Sequence, residues 1–316
     1  MPVATAIVPT HSHASTLPLS VRSALSQTER DIEVIVVGDG VDEPTRAAAQ
    51  SLVEADDRVR FVDNPKGEGH GFEHRHQAVV EASSNHVFWL ADDDLWFPDH
   101  VERLGELLER AHLATSLVVG ALPDGSARVK PFDLGIPAHR QALAAGERFI
   151  PMVALAHRRK AYLKLPRGWR VGGTHYRQVW TQFAQQPKMV TASLLAPTAL
   201  HLASNSREEL PDEQRAAELE RWSAVLADEE LRRRFLEDVI ARLVTKGWLE
   251  PAQARYEAGS AARSGSGAQS GTRPARARPG SAASRSERTT SSRETGQGTP
   301  RSGSSKTTPS SSSASQ

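Results

Sequence analysis

Three consecutive carboxylates, Asp92-Asp93-Asp94, stand directly behind the apolar run Val87-Phe88-Trp89-Leu90-Ala91 and ahead of Leu95-Trp96-Phe97-Pro98. Like charges at this spacing repel, and no structural gain offsets the repulsion. A divalent cation removes the penalty. Hard cations such as Mg²⁺ or Mn²⁺ take oxygen ligands and commonly share them with a substrate's phosphates. If the chain stays extended through the triplet, the two-residue period puts Asp92 and Asp94 on one face and Asp93 on the other. Asp92 and Asp94 are then the expected metal pair. The alternative is a solvated acidic loop with an Asp cap ahead of a helix near Val101.

The elements that must position these acids alternate regularly. The pattern predicts a strand over 4–8, a loop over 10–16 and a helix over 17–26. A buried strand over 32–37 follows, ending in Gly38-Asp39-Gly40, then a helix over 45–55 and a strand over 59–62. A glycine loop, Gly67-Glu68-Gly69-His70-Gly71, leads to a helix over 74–83 and so into the apolar run before the triplet. Strand and helix alternating at this spacing predict a parallel sheet covered on both faces. Ligands of such sheets bind beyond the carboxyl ends of the strands. Thr10, Asp39, the glycine loop and the triplet all follow strands, so all four should meet on one rim.

Beyond the triplet the pattern predicts a helix over 100–111, a strand over 117–122 and a turn at Pro123-Asp124-Gly125-Ser126. From Arg148 to Arg207 the chain has no Asp or Glu, yet it carries Arg158, Arg159, Arg170 and Arg177. Elements expected there are a strand over 152–156, a loop at Gly172-Gly173, a helix over 175–185 and a strand over 189–193. The basic surplus points either to an anionic partner or to a solvated basic face. Two charged helices, over 212–225 and 228–245, close the foldable part.

Composition sets the outer limits. From Ala258 to Gln316 there is no aromatic residue and no Leu, Ile or Val, so the segment cannot bury enough apolar surface to offset its ordering entropy. The expected division is a folded domain over 1–257 and a disordered Ser/Gly/Arg-rich tail over 258–316. The tail carries nine basic residues against two acidic ones, although the whole chain is only +1. It has no aromatics to stack on bases, so nucleic acid is not the expected partner. There is no cysteine, which excludes disulfides and thiol chemistry. The first residues lack the pattern of a signal peptide, and no apolar run is long enough to span a bilayer. The expectation is a soluble, cytoplasmic protein without a transmembrane segment.

Several of these motifs together resemble family 2 glycosyltransferases of the GT-A fold. They are Val8-Pro9-Thr10-His11, Val36-Val37-Gly38-Asp39-Gly40, the arginine-led stretch Arg75-His76-Gln77-Ala78-Val79-Val80-Glu81-Ala82, and the segment from Phe88 to Pro98. The likeness covers about residues 3–104 and continues more weakly to about 201. It implies an α/β, GT-A-like fold: a mostly parallel sheet sandwiched by helices, with a helical C-terminal end. It also implies a metal-dependent transferase that moves a sugar from a nucleotide-sugar donor to an acceptor hydroxyl, usually with inversion. Pro9, Thr10, His11 and Asp39 would hold the nucleotide, and Arg75 would sit near the diphosphate or sugar. Asp92, Asp93 and Asp94 would supply donor and metal contacts, with Mn²⁺ or Mg²⁺ as cofactor.

Three departures from the family pattern stand out. An acid is missing at Gly38, another is missing at Ala91, and no carboxylate lies between Arg148 and Arg207, where the family places its base. His175 stands at about that place and is the candidate catalytic base, the alternative being a helix-capping or core histidine. The motifs name neither sugar nor acceptor. Other readings are a non-catalytic nucleotide-sugar binding module and a nucleotidyltransferase on the same kind of sheet. His11, His13, His70, His74 and His76 lack the spacing of a zinc site. Trp169 is the better candidate for stacking on a sugar, although tryptophans of this kind are more often core.

Overall fold

The computed structural model describes residues 1–170, 177–202, 207, 210–245, 247 and 253. The described elements, in chain order, begin with β1 (Ala4–Thr10), α1 (Leu17–Leu25), β2 (Ile32–Asp39), α2 (Glu43–Ala55), β3 (Val59–Asn64), α3 (Phe72–Glu81) and β4 (His86–Trp89). They continue with β5 (Leu95–Trp96), α4 (His100–Leu108), β6 (Leu113–Ala121), β7 (Ala127–Lys130), α5 (Pro137–Ala144), β8 (Leu155–Arg158) and α6 (Arg159–Tyr162). The last are α7 (Arg177–Gln185), β9 (Thr191–Leu202), α8 (Asp212–Ala227) and α9 (Glu229–Val244).

Among the described residues the strands form one sheet in the order β3-β2-β1-β4-β8-β6-β9-β5, with β7 paired to β6. The four amino-terminal strands are parallel to one another. Every residue of β1 is buried, and β2 is nearly so, as expected of strands covered on both faces. Beyond β4 the sheet turns mixed: β8 runs antiparallel to both β4 and β6. Two reversals restore the direction, so β6 and its parallel partner β9 again point their carboxyl ends at the rim where β1, β2 and β4 end.

Local chemistry explains several boundaries. Asp42 caps α2 by accepting from Thr45 N–H at 3.0 Å, which starts that helix two residues earlier than its apolar spacing suggests. Asp228 caps α9 in the same way, through Leu231 N–H at 2.9 Å. Residues 152–154, expected in a strand, form a 3-10 turn, and the strand begins at Leu155. The largest correction concerns β9. It runs twelve residues, to Leu202, and absorbs a bulge opposite Ser116-Leu117-Val118.

The core between sheet and helices holds Trp89, Trp96, Trp169 and Trp180, all with 2 % exposure or less. Trp169 is therefore not a stacking platform. Its ring packs 4.7 Å from Trp89, 5.5 Å from Phe72 and 5.6 Å from Trp180, centroid to centroid. His157 lies fully buried in the same cluster, where burial lowers its pKa to about 4. No helix among the described residues is long and apolar enough to cross a membrane. The expected tail, 258–316, lies outside the described residues, as does His175.

Candidate functional site

A cleft of about 390 Å³ opens at the carboxyl ends of β1, β2 and β4. Each strand delivers its polar residue as it leaves the core. Thr10 closes β1, 4 % exposed, with its hydroxyl oxygen buried and without a hydrogen-bond partner among the described residues. Pro9 and the exposed His11 flank it on the cleft wall. Asp39 closes β2 and is 5 % exposed.

The glycine loop wraps the Asp39 carboxylate. Gly67 N–H donates to Asp39 Oδ1 at 2.7 Å and Lys66 Nζ to Oδ2 at 2.8 Å. Gly71 has φ +73°, and a Cβ there would fall 2.7 Å from the carboxyl carbon of Asp39. Only glycine permits this approach. Burial works to raise the Asp39 pKa, but Lys66 and the Gly67 amide outweigh it, so the carboxyl is held below its usual range. The loop hands over to α3, and Arg75, one turn in, reaches the cleft with its guanidinium 5.0 Å from the Trp169 ring centre.

The acidic triplet behaves differently from its expectation. β4 ends at Trp89, and Asp94 N–H donates to Ala91 C=O at 3.3 Å, so the acids occupy a turn rather than an extended strand. The two-residue alternation does not apply. The turn is needed because the chain must reverse to pair β5 with β9, Leu95 opposite Leu200 and Trp96 opposite Ala199. Continuing that register by one residue sets Asp94 opposite His201. Its carboxylate lies 3.0 Å from His201 Nδ1 and accepts from Leu202 N–H at 2.8 Å. Asp94 is 1 % exposed and engaged in this way.

Asp92 lies 2.8 Å from His13 Nδ1, and Arg215 of α8 stands 3.3 Å from the other ring nitrogen. The Asp92 carboxylate raises the His13 pKa to about 9, against burial and the Arg215 charge. Asp93, half-buried, lines the cleft. Burial, and then the Asp94 and Asp92 carboxylates, push its carboxyl up to about 8.

The cleft thus gathers Pro9, Thr10, His11, Asp39, Arg75, Asp92, Asp93 and Asp94, all named from the sequence. It also gathers Lys66 and His201, which sequence reasoning missed, and His13, which it considered only as a zinc ligand. The basic stretch is not brought here as a unit. Arg158 donates to the Leu108 carbonyl and Arg159 to the carbonyls of Val79, at 3.0 Å, and Val80. These are the carboxyl-terminal carbonyls of α4 and α3, which attract guanidinium groups. Arg158 also pairs with His86, at the end of β4 remote from the triplet. Both arginines therefore serve the fold rather than an anionic partner at this rim.

Among the described residues no three His, Cys, Asp or Glu side chains are grouped to hold a metal alone. A hard cation that takes one or two carboxylates and completes its shell with phosphates still fits the donor set. The fit is carried by Asp93, which lines the cleft beside Asp92 and Asp94, where burial first and the two neighbouring carboxylates second disfavour its ionised form in the absence of a cation.

Residues 5–162 match the model of a protein family described as glycosyl transferase family 2. Among similar proteins, an uncharacterized glycosyltransferase of Rickettsia bellii is 29 % identical over 119 residues, 38 % of this chain and 17 % of the relative. A GalNAc(5)-diNAcBac-PP-undecaprenol beta-1,3-glucosyltransferase of Campylobacter jejuni is 30 % identical over 94 residues, 30 % of each chain. The matched stretch thus spans less than a third of either relative. Among solved structures, S. aureus TarS 1-349 in complex with UDP superposes with a TM-score of 0.50 at 16 % identity, covering 78 % of this chain and 72 % of that one. At this identity the likeness concerns the fold.

Proposed function

The chain belongs to glycosyl transferase family 2, and from that premise we propose that it moves a sugar from a nucleotide-sugar donor to an acceptor hydroxyl. The observation that carries this reading is the convergence, in one cleft, of Thr10, Asp39, Arg75 and the acidic triplet from four separate segments. In this reading Thr10 and Asp39 bind the nucleoside, with Pro9 and His11 shaping the wall beside it. The Thr10 hydroxyl has no hydrogen-bond partner among the described residues, and Asp39 is kept anionic by the Lys66 ammonium. An anionic carboxylate at that place accepts ribose hydroxyls. Arg75 and Lys66 face the diphosphate, the only two Arg or Lys side chains of the described cleft wall.

Mn²⁺ or Mg²⁺ would be held by the triplet together with the donor phosphates. Asp92 and Asp94 were the expected pair, but Asp94 is engaged by Leu202 N–H and His201. The second ligand is then Asp93, beside Asp92 on the cleft wall. Bound there, the cation would offset charge that develops on the departing nucleoside diphosphate. In the transfer itself the acceptor oxygen bonds to the anomeric carbon as that carbon's bond to the diphosphate breaks, with inversion. The acceptor proton passes to a base, for which His175 is the candidate; a neutral imidazole accepts a proton near pH 7. The working domain ends near Glu257 in this reading, and the tail takes no part in the chemistry.

UDP is the first nucleotide to test, because TarS was crystallised with it. Incubation with a panel of nucleotide-sugars and Mn²⁺ should release a nucleoside diphosphate. Release of pyrophosphate would favour nucleotidyl transfer instead, and binding without turnover would favour a non-catalytic module.

A further inference from the structure

The cleft does not end at His201. That side chain also borders a smaller recess of about 80 Å³, lined chiefly by Val118, Gly120, Leu122, Phe132, Ile150 and Pro151. The topology accounts for the recess. β6 carries residues 116–121 past the rim, and Val118 and Gly120, two apart, share one face of it. His201 of β9 pairs with Gly120 from one side and Arg128 of β7 from the other. Pro151 is followed directly by Met152, which lines the cleft. The two spaces therefore meet at His201, which lines both, and at the Pro151-Met152 step.

The chemistry of the recess is unlike that of the cleft. The cleft wall has four aspartates, whereas no carboxylate among the described residues borders the recess; its described polar side chains are Ser116, Arg128 and His201. Nothing in a nucleoside diphosphate calls for such a lining. Resting on the transferase reading above, we propose that the recess is the part of the acceptor site that takes a small apolar group, alkyl or aryl, attached next to the hydroxyl that receives the sugar. Its size sets the limit. A cavity of about 150 Å³ holds a benzene molecule, so this recess takes a few methylenes or the edge of a ring, and not a second sugar. Each methylene buried there improves affinity by about four-fold.

Gly120 offers a direct test. A Cβ added there meets only the Arg128 carbonyl oxygen, at 3.7 Å, so a larger side chain enters the recess without a clash at its first atom. The probes are methyl, ethyl, butyl, hexyl and phenyl β-glucosides, measured as acceptors with a turned-over nucleotide-sugar and by calorimetry on the UDP-loaded protein. The proposal predicts that KM and Kd fall by about four-fold per methylene over the first few carbons and then level off. Gly120→Val, with its thermal transition checked, should abolish that dependence. Val118→Phe should abolish it independently. Affinity indifferent to the alkyl chain in the unaltered protein, or a dependence that survives both substitutions, would overturn the proposal. Failure of the transferase reading looks different: no nucleotide-sugar would be turned over, while the calorimetric series would still decide whether the recess takes apolar groups.

Discussion

His13 and Asp92 leave the sheet from different strands, β1 and β4, and meet with 2.8 Å between ring nitrogen and carboxylate. Behind His13 stands Arg215 of α8, 3.3 Å from the second ring nitrogen and tied to Asp212 at 2.8 Å. Asp212 also accepts from Ser15, two residues beyond His13. A helix far along the chain thus braces the loop that faces the acidic triplet. Groups that orient a ligand side chain commonly change metal affinity by about 10–100-fold. Arg215→Ala should loosen that loop, which it holds through Asp212 and Ser15, and so weaken Mn²⁺-supported UDP binding by up to about 10-fold. Its effect on global stability should stay within about 1 kcal/mol, because partly exposed ion pairs contribute little. Calorimetry beside denaturant unfolding checks both, and unchanged UDP affinity would detach α8 from the site.

Gly71 can be tested through its backbone. With φ +73° and no room for a Cβ beside Asp39, Gly71→Ala should cost about 1–3 kcal/mol and displace the loop from the carboxylate. Denaturant unfolding measures the cost. A loop that accommodates alanine at no cost would contradict the close approach.

Much of this site was legible in the sequence because it is local. Thr10, Asp39 and the triplet each follow an apolar run directly, and Arg75 sits one turn into a helix, so strand ends predict where they go. His201 was not legible. It reaches Asp94 only because β9 runs past a bulge for twelve residues and pairs with β5, a contact across 107 positions. The same pairing bends the triplet into a turn, which local alternation cannot foresee. Arg158 and Arg159 read as facing either an anionic partner or solvent, because charge counts do not register the helix carbonyls that they bind.

Acid should unfold the protein in part through two buried histidines. Burial lowers the pKa of His157 to about 4 and of His100 to about 3. An unfolded histidine titrates near 6.5. Both therefore contribute stability that is complete above that pH and is lost as pH falls toward the folded values. Each adds a slope of about 1.4 kcal/mol per pH unit in that window. Neither ring nitrogen of His157 has a hydrogen-bond partner among the described residues. His157→Phe should thus raise stability at pH 5 by about 1–3 kcal/mol and flatten the pH dependence. An unaltered slope would show that His157 already titrates normally.

His175 should matter for turnover and not for donor binding. A positioned general base contributes about 10²–10⁴-fold, so His175→Ala should lower the transfer rate by that factor while UDP and Mn²⁺ affinities persist. Full transfer activity in the variant would assign the proton to another group.

In the proposed function, Asp93 and Asp92 bind a divalent cation together with a nucleoside diphosphate. Calorimetric titration of the unaltered protein and of Asp93→Asn with UDP and other nucleoside diphosphates, with and without Mn²⁺, tests it most directly. Mn²⁺-dependent binding of at least one nucleoside diphosphate to the unaltered protein is expected, with loss of that dependence in the variant. Binding that is equally strong without Mn²⁺, or equally Mn²⁺-dependent in Asp93→Asn, would contradict it.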